Sequence, residues 1–577
     1  MYYKRFAAGL MLLTIGMLSC KKEKVDYSYD NRPDKAAGGN STVRLVNFTE
    51  NNQLSINGER LTSYLIINPP AGQEALYPGT YWFPTNGKLG SSFTVPRQFL
   101  TTGSAEVSTD YMAYSAGRDS LGFKVTEEYN KPKDYFIMRG APYAAAKVER
   151  VREVPREATA PAKAGYFKIR IVNLADQLNS AWNAHDVAKP LTLAYADGTP
   201  VSTATSNINP QTWSQYVELP YGTYQFRVLT PDGMEVRGTG GNTLENTFMS
   251  EPATSNLMKP VQGGIPNAVS TGLTYAPLKT YQPGGVYTIV VGIDRLTMLN
   301  VYGIPGETSI YFQNVFRVLA DVSEPLNTDY YRLQGVQANA DEGQVSFRVN
   351  GAKLGDADYT TATDYSIYVA GQATVEAVNA SGAVLATATQ PFLAGQNYTA
   401  WLYKTPEGKS AISMVANNLT GSWYDPLSSG TTNTGQDGSL SRMTHTYPFN
   451  YRFLNLCPDL PYASFTYDNG QSAGAATTTR NLRPGVPVTD QPYARQGQDA
   501  EAYQFMVYKS SPSVYPGSWI SAIPVLKSTA FVARPDRYTH VKPIHEPGVY
   551  TVALVGRLNG SQPQGKSAKM IIIKHTK

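Results

Sequence analysis

Ile169-Arg170-Ile171-Val172-Asn173 and Tyr451-Arg452-Phe453-Leu454-Asn455 repeat a pattern also present in Val43-Arg44-Leu45-Val46-Asn47 and Phe316-Arg317-Val318-Leu319. Each reads apolar, Arg, apolar, apolar, and such self-similarity is the mark of a repeated architecture. Side chains alternate along an extended chain, so Leu45, Ile171, Val318 and Phe453 share one face and Arg44, Arg170, Arg317 and Arg452 the other. The pattern predicts the opening strand of four modules, with the arginines on the solvent side as protection against edge pairing.

A second signature lies near module ends. Pro283-Gly284-Gly285-Val286-Tyr287-Thr288-Ile289-Val290-Val291-Gly292 matches Pro547-Gly548-Val549-Tyr550-Thr551-Val552-Ala553-Leu554-Val555-Gly556, and Gly395-Gln396-Asn397-Tyr398-Thr399-Ala400-Trp401 is a third copy. A glycine-containing turn releasing a nearly continuous apolar run predicts a buried closing strand. Asp110-Tyr111-Met112-Ala113-Tyr114 is the weaker copy in the first module. A middle signature, Tyr77-Pro78-Gly79-Thr80-Tyr81 and Pro220-Tyr221-Gly222-Thr223-Tyr224, predicts a tight turn before another strand, with Ala370-Gly371 in its place in the third module.

These marks place modules at 43–150, 165–307, 308–422 and 446–577, each the size of an ordinary β-sandwich. Residues 151–164 and 423–445 read as linkers, and 20–42 as a polar tether. Forty tyrosines, 38 prolines and 49 glycines suit strands and turns more than helices. The expected fold is therefore all-β, as tandem immunoglobulin-like sandwiches in a string, with residues 174–186 as the best short helical segment.

The N-terminus sets the expected compartment. Lys4 and Arg5 precede an apolar run over 6–18 that is too short to span a bilayer. It ends in Met17-Leu18-Ser19-Cys20, which resembles the lipobox of bacterial lipoproteins, with Met17 where leucine is usual. The resemblance implies that residues 1–19 are removed as a signal peptide and that Cys20 carries diacylglycerol and palmitate-type acyl chains. At about 0.8 kcal/mol per buried CH₂, two or three such chains hold a protein on a membrane without a spanning helix. The resemblance implies a Gram-negative envelope, and the absence of Asp directly after Cys20 does not suggest inner-membrane retention, so the expected location is the outer membrane, at the cell surface, though the sequence does not write which face.

Formal net charge is +5, of which Lys4 and Arg5 supply two. No basic stripe occurs, which sets nucleic acid aside as a partner. With Cys20 acylated, Cys457 has no intramolecular disulfide partner and reads as a small buried hydrophobe.

The order of an Arg-apolar-apolar-Asn strand, a Pro-Gly-Thr-Tyr segment and a Gly-x-Tyr-Thr strand, as at Arg170, Pro220 to Tyr224 and Tyr287-Thr288, resembles a domain of unknown function that recurs in bacterial envelope lipoproteins. Modules two and four match best. The resemblance covers most of the chain after residue 42 and implies a sandwich in the cell envelope. It implies no reaction and carries over no catalytic residue.

A search for chemistry returns little. Gly470-Gln471-Ser472-Ala473-Gly474 fits the nucleophile-elbow pattern, but that elbow needs a strand before it and a helix after it, and 475–479 lacks a helical pattern. His185, His445, His540, His545 and His575 are scattered, and the spacing of His540 and His545 puts them on opposite sides of a strand, against a shared metal. Asn433-Thr434-Gly435-Gln436-Asp437-Gly438 has too few acids for a calcium loop. Asp119-Ser120-Leu121 resembles a short O-glycosylation acceptor of some Gram-negative envelopes. No catalytic residue, metal site or cofactor is expected.

Tryptophans near turns are the remaining resource. Trp82, Trp182, Trp213, Trp423 and Trp519 are candidates to stack on a sugar or protein partner, whereas Trp401 belongs to a closing strand and is expected to pack. The expectation is a non-enzymatic envelope lipoprotein that binds or scaffolds, with a glycan or envelope protein as ligand. The alternative is a fimbrial or adhesin subunit assembled by strand addition, in which one module lacks its closing strand.

Overall fold

The computed structural model describes residues 40–48, 51, 53–62, 92–111, 119–138, 150–157, 159–175, 188–233, 278–299, 308–420, 422–424, 444–446, 449–490, 492–496, 502–537, 544–559 and 565–577. Among these the chain is all-β, and its only α-helix is the single turn Ala476–Thr479. That turn falls where no helical pattern was expected. Leu174 and Ala175 are not helical, and the rest of the helical candidate lies outside the described residues.

One sheet plan recurs. In the second module the closing strand Val286–Leu299 runs parallel beside the opening strand Tyr166–Asn173, and Thr308–Ala320 pairs antiparallel on its far side. Thr212–Trp213 and Val217–Pro220 flank the opening strand. In the third module the order is Ser366–Val369, Tyr330–Gln337, Asn397–Lys404, Ser410–Asn417, and in the fourth Ala494–Gln496, Phe449–Asn455, Gly548–Val555, Lys569–Lys574. The opening and closing signatures thus mark the two central strands of one sheet.

A second sheet or ribbon set covers the inner face. In the third module Tyr331, Leu333, Tyr398, Ala400 and Leu402 meet Val345, Phe347, Val375 and Ala377 of the sheet Ala352–Ala357, Val345–Val349, Gly371–Asn379, Val384–Phe392. Phe167, Ile169, Ile171 and Tyr287 pack likewise on Phe226, Val228 and Tyr281, and Phe453, Val552 and Leu554 on Phe465, Phe505 and Val507. Each fully buried side chain of this kind stabilises by about 1.5–3 kcal/mol. The middle signature at Pro220 to Tyr224 is not a tight turn, and its other copy, Tyr77 to Tyr81, lies outside the described residues. Val217–Pro220 pairs in the first sheet and Gly222–Tyr224 in the second, so Tyr221 is where the chain changes sheet, as it does from Ser366–Val369 to Gly371–Asn379. Gly371 has φ of 141°, open to glycine alone.

The tyrosine of the closing signature points inward, and its hydroxyl returns to the backbone just upstream. Gln282 N donates to Tyr287 Oη at 2.9 Å, Leu393 N to Tyr398 Oη at 3.2 Å, and Tyr550 Oη donates to the Glu546 carbonyl at 2.9 Å.

Three expected boundaries move. Phe316-Arg317-Val318-Leu319 opens no module, because it lies in Thr308–Ala320, paired through thirteen residues with the closing strand of module two. The third module opens at Tyr330–Gln337, with Tyr331-Arg332-Leu333. An apolar-Arg-apolar run suits any strand buried on both faces, so the motif alone did not distinguish first strand from last. In the first module Lys133–Ile137, not Asp110 and Tyr111, neighbours the opening strand, Met112 to Tyr114 lying outside the described residues, and Val151–Pro155 of the expected linker is a strand. Asp110 and Tyr111 belong instead to Ser104–Tyr111, which pairs with Gln53–Ile56 and Asp119–Thr126. Ser422–Tyr424 and Thr444–Thr446, at the ends of the other expected linker, pair antiparallel.

The chain forms two compact units. One comprises Met1–Leu45, Asn51–Pro84 and Phe93–Tyr135, and the other Val46–Glu50, Thr85–Ser92 and Phe136–Lys577. In the first, Arg44 is fully buried and pairs bidentately with buried Asp134, both contacts at 2.7 Å. In the second, the modules are not beads on a string. Leu278, Leu419 and Val549 of modules two, three and four form one cluster, Gln225 N donates to Lys577 O at 2.8 Å, and Arg227 lies 3.6 Å from Glu546 with both buried. A Cβ at Gly222 would collide with the Arg332 guanidinium of module three, so the glycine of the middle signature admits its neighbour.

A candidate binding cavity between the third and fourth modules

The outer faces of the central sheets carry a row of polar groups at matched register. In module two the row is Tyr216, Arg170, Thr288, Asp321; in module four Tyr493, Arg452, Thr551, His575; in module three Tyr365, Gln334, Thr399, Asn417. Arg170 stacks on Tyr216 at 4.6 Å and Arg452 on Tyr493 at 4.7 Å, and Arg332, two residues before Gln334, takes the Tyr365 ring at 4.5 Å. Arg44, Arg170 and Arg452 are all buried, so they are not solvent-side edge guards. Their strands lie inside the sheet, and the outer face is itself covered.

What covers it was encoded in the fourth residue of the motif. Leu454 and Val172 share the outer face with their arginines. Leu454, Ala553, Val555 and Ile573 pack on Val336, Ala338, Trp401 and Val415 of module three, while Val172, Leu174, Val290 and Leu319 pack on Val46, Phe48, Phe136 and Val154. Modules three and four therefore meet back to back. His575 is central to that contact: Gln334 Nε2 approaches its Nδ1 at 2.9 Å, Tyr365 Oη the same atom at 3.1 Å, and Thr551 Oγ1 its Nε2 at 2.7 Å. Burial first, then the Arg452 charge, lowers its pKa to about 3, so the ring is neutral. With two donors at Nδ1, the proton resides on Nε2.

Beside this contact lies a cavity of about 550 Å³, within the size range of small-molecule sites. Asn417, Arg452 and Asn450 form buried parts of its wall, Asn418, Thr489 and Arg495 lie exposed on it, and Tyr398, Met414, Val415, Pro487, Val488 and Tyr493 give apolar surface. No Asp, Glu, His, Ser or Cys is among the lining residues. Arg452 NH2 donates to the Ala416 carbonyl at 2.7 Å, and among the described residues its Nε has no hydrogen-bond acceptor and the Asn417 Oδ1 no donor.

The residues expected to act lie elsewhere. Cys20, Trp82 and Trp182 fall outside the described residues, as do His185, His540 and the Asn433 to Gly438 segment. Trp213 is half-buried against the cluster around Val172, which removes it as an open stacking platform. Trp423 sits opposite His445 in the antiparallel pair Ser422–Tyr424 and Thr444–Thr446. Trp519 is 50% exposed on the strand Val514–Trp519 and is not on the cavity wall. Trp401 is fully buried.

The chemical motifs resolve as structure. Cys457 is buried in the fourth core, where desolvation pushes its thiol up to about 12, far from a reactive thiolate. Ser472 Oγ donates to the Gly474 carbonyl at 2.6 Å and neighbours Thr479 Oγ1 at 3.1 Å. His545 stacks on Phe449 at 3.8 Å, and burial lowers its pKa to about 4. Ser120 is exposed on the strand Asp119–Thr126, at the edge of its sheet. No group of residues that could hold a metal ion occurs among the described residues, nor does a helix long and apolar enough to cross a membrane. Neither a scan of protein-family models nor a search of curated proteins returns a match to this chain.

Proposed function

We propose that the chain is a non-enzymatic lipoprotein of the Gram-negative envelope, tethered through an acylated Cys20 at the outer membrane surface, whose immunoglobulin-like modules recognise a ligand. The family likeness is to the envelope domain of unknown function that carries the same strand motifs. One observation carries the recognition reading: a cavity of ligand size offers amides, arginine and apolar walls, and none of its lining residues is an Asp, Glu, His, Lys, Ser or Cys. A glycan or an envelope protein is the expected partner, with no role for nucleic acid.

Strand addition is the less favoured assembly, because every opening strand already has a neighbour on each side, including Asn40–Asn47 between Ser92–Pro96 and Lys133–Ile137.

Two measurements test the proposal. Metabolic labelling with a palmitate analogue labels the wild-type chain in the membrane fraction, and Cys20→Ala loses both label and membrane. The ectodomain from residue 21 binds on a glycan array or retains an envelope protein. An unlabelled wild type overturns the anchor, and the absence of any ligand in either format overturns recognition.

A further inference from the structure

We infer that the cavity between the third and fourth modules is a subsite for an acidic sugar, with the carboxylate of a uronic acid unit seated on Arg452. This rests on the recognition reading and names its ligand class.

The argument begins with charge. Arg452 is 4% exposed, and among the described residues no carboxylate pairs with it. A buried cation without a counter-ion is costly unless something supplies the negative charge. In modules one and two the corresponding arginines are provided for. Arg44 has Asp134, and Arg170 donates through Nε to Thr288 Oγ1, which in turn donates to Asp321 Oδ2 at 2.6 Å. In module four the residue at the Asp321 position is His575, held neutral. Arg452, which faces no carboxylate among the described residues, lies on the wall of a space large enough for a sugar ring and its neighbour.

The rest of the lining selects a sugar over a bare anion. Asn417, Asn418 and Asn450 supply amides, each both donor and acceptor, as vicinal hydroxyls require. Tyr493 and Val488 give the apolar surface that the C–H face of a pyranose prefers. A guanidinium holds a carboxylate with directed hydrogen bonds, which separates uronic acids from neutral sugars.

The test is calorimetric titration of the whole ectodomain with a digalacturonate and with its neutral counterpart, digalactose. Wild type binds the acidic disaccharide and not the neutral one. Asn417→Asp, which places an acid beside Arg452, weakens that binding by roughly tenfold or more, and Thr489→Trp, from an exposed position on the wall, obstructs it. Both variants are checked for unchanged thermal melting, so that lost binding is not lost fold; if Asn417→Asp melts early, Thr489→Trp decides. Equal binding of the two disaccharides overturns the acidic-sugar assignment and leaves recognition standing. Binding of peptides with a free C-terminal carboxylate, but of neither sugar, likewise replaces the ligand class alone. No binding of any of these overturns this inference, and the proposed function falls only if the array and pull-down are also empty.

Discussion

Modules two and four present the same row of side chains on the same sheet, yet they neutralise its arginine differently. In module two, Asp321 accepts from Thr288 Oγ1 at 2.6 Å and Tyr216 Oη at 2.8 Å, and the same threonine accepts from Arg170. In module four, Thr551 meets the imidazole of His575, and Arg452 is left with a carbonyl and a ring. Backbone register is shared to the residue, with Arg170 opposite Thr288 and Arg452 opposite Thr551. A repeat thus conserves geometry more strictly than charge, and the copy that has lost its acid is the one beside a cavity.

The largest effect should come from removing the acid where it exists. Asp321→Ala removes the acid of the row and leaves buried Arg170 with the Thr288 hydroxyl, the Pro155 carbonyl and the Tyr216 ring, a change of the class that costs about 3–5 kcal/mol. Arg452→Met, at a site with no acid to strand, should cost less, about 1–2 kcal/mol, since the aliphatic stem still packs against Tyr493 and what is lost is the cation–ring contact and the hydrogen bond to the Ala416 carbonyl. Urea unfolding of the two variants measures the contrast, and equal losses would break the comparison.

A pH titration sharpens it further. His575 and His545 have ordinary values near 6.5 when unfolded and about 3 and about 4 when folded. The unfolded chain therefore takes up protons first, and stability present above pH 6.5 is lost as pH falls towards 4. The ceiling between pH 6.5 and pH 4 is about 3 kcal/mol for each histidine, at 1.36 kcal/mol per unit. His575→Gln should flatten the acid limb by roughly half, read as the change in urea midpoint between pH 7 and pH 4.5. An unchanged acid limb would mean that the ring is already charged in the folded protein.

The sequence made the central strands legible because their signal is local: an alternating run with arginine, and a glycine turn followed by Tyr-Thr. Tyr287 and Tyr550 go inward and Thr288 and Thr551 outward, as period two demands. The burial of the arginines was less accessible, because it depends on what lies over the sheet. One clue was present, since Val172 and Leu454 are apolar on the arginine face, and an outward apolar residue next to a charge marks a covered face and not an exposed one. The cavity left no local mark at all. Asn417, Arg452, Thr489 and Tyr493 come from different strands and loops of two modules, brought together by back-to-back packing that no spacing rule records. The Phe316 motif misled for the same reason in reverse, as a strand buried on both faces imitates an opening strand wherever it falls.

The smallest effect concerns the feature that the two modules share. Tyr287 Oη accepts from the Gln282 backbone N–H, whereas Tyr550 Oη donates to the Glu546 carbonyl. Removing either hydroxyl by Tyr→Phe preserves the ring and its packing, so only the hydrogen bond changes. Tyr550→Phe should cost about 1 kcal/mol, the ordinary net value of one such bond. Tyr287→Phe should cost slightly more, up to about 2 kcal/mol, because a half-buried N–H is left without its acceptor while a carbonyl with two lone pairs is the easier group to satisfy otherwise. Urea midpoints distinguish the two. If Tyr550→Phe proves the costlier, the direction of the hydrogen bond does not set its worth, and the likeness of the two closing strands lies in their aromatic packing alone.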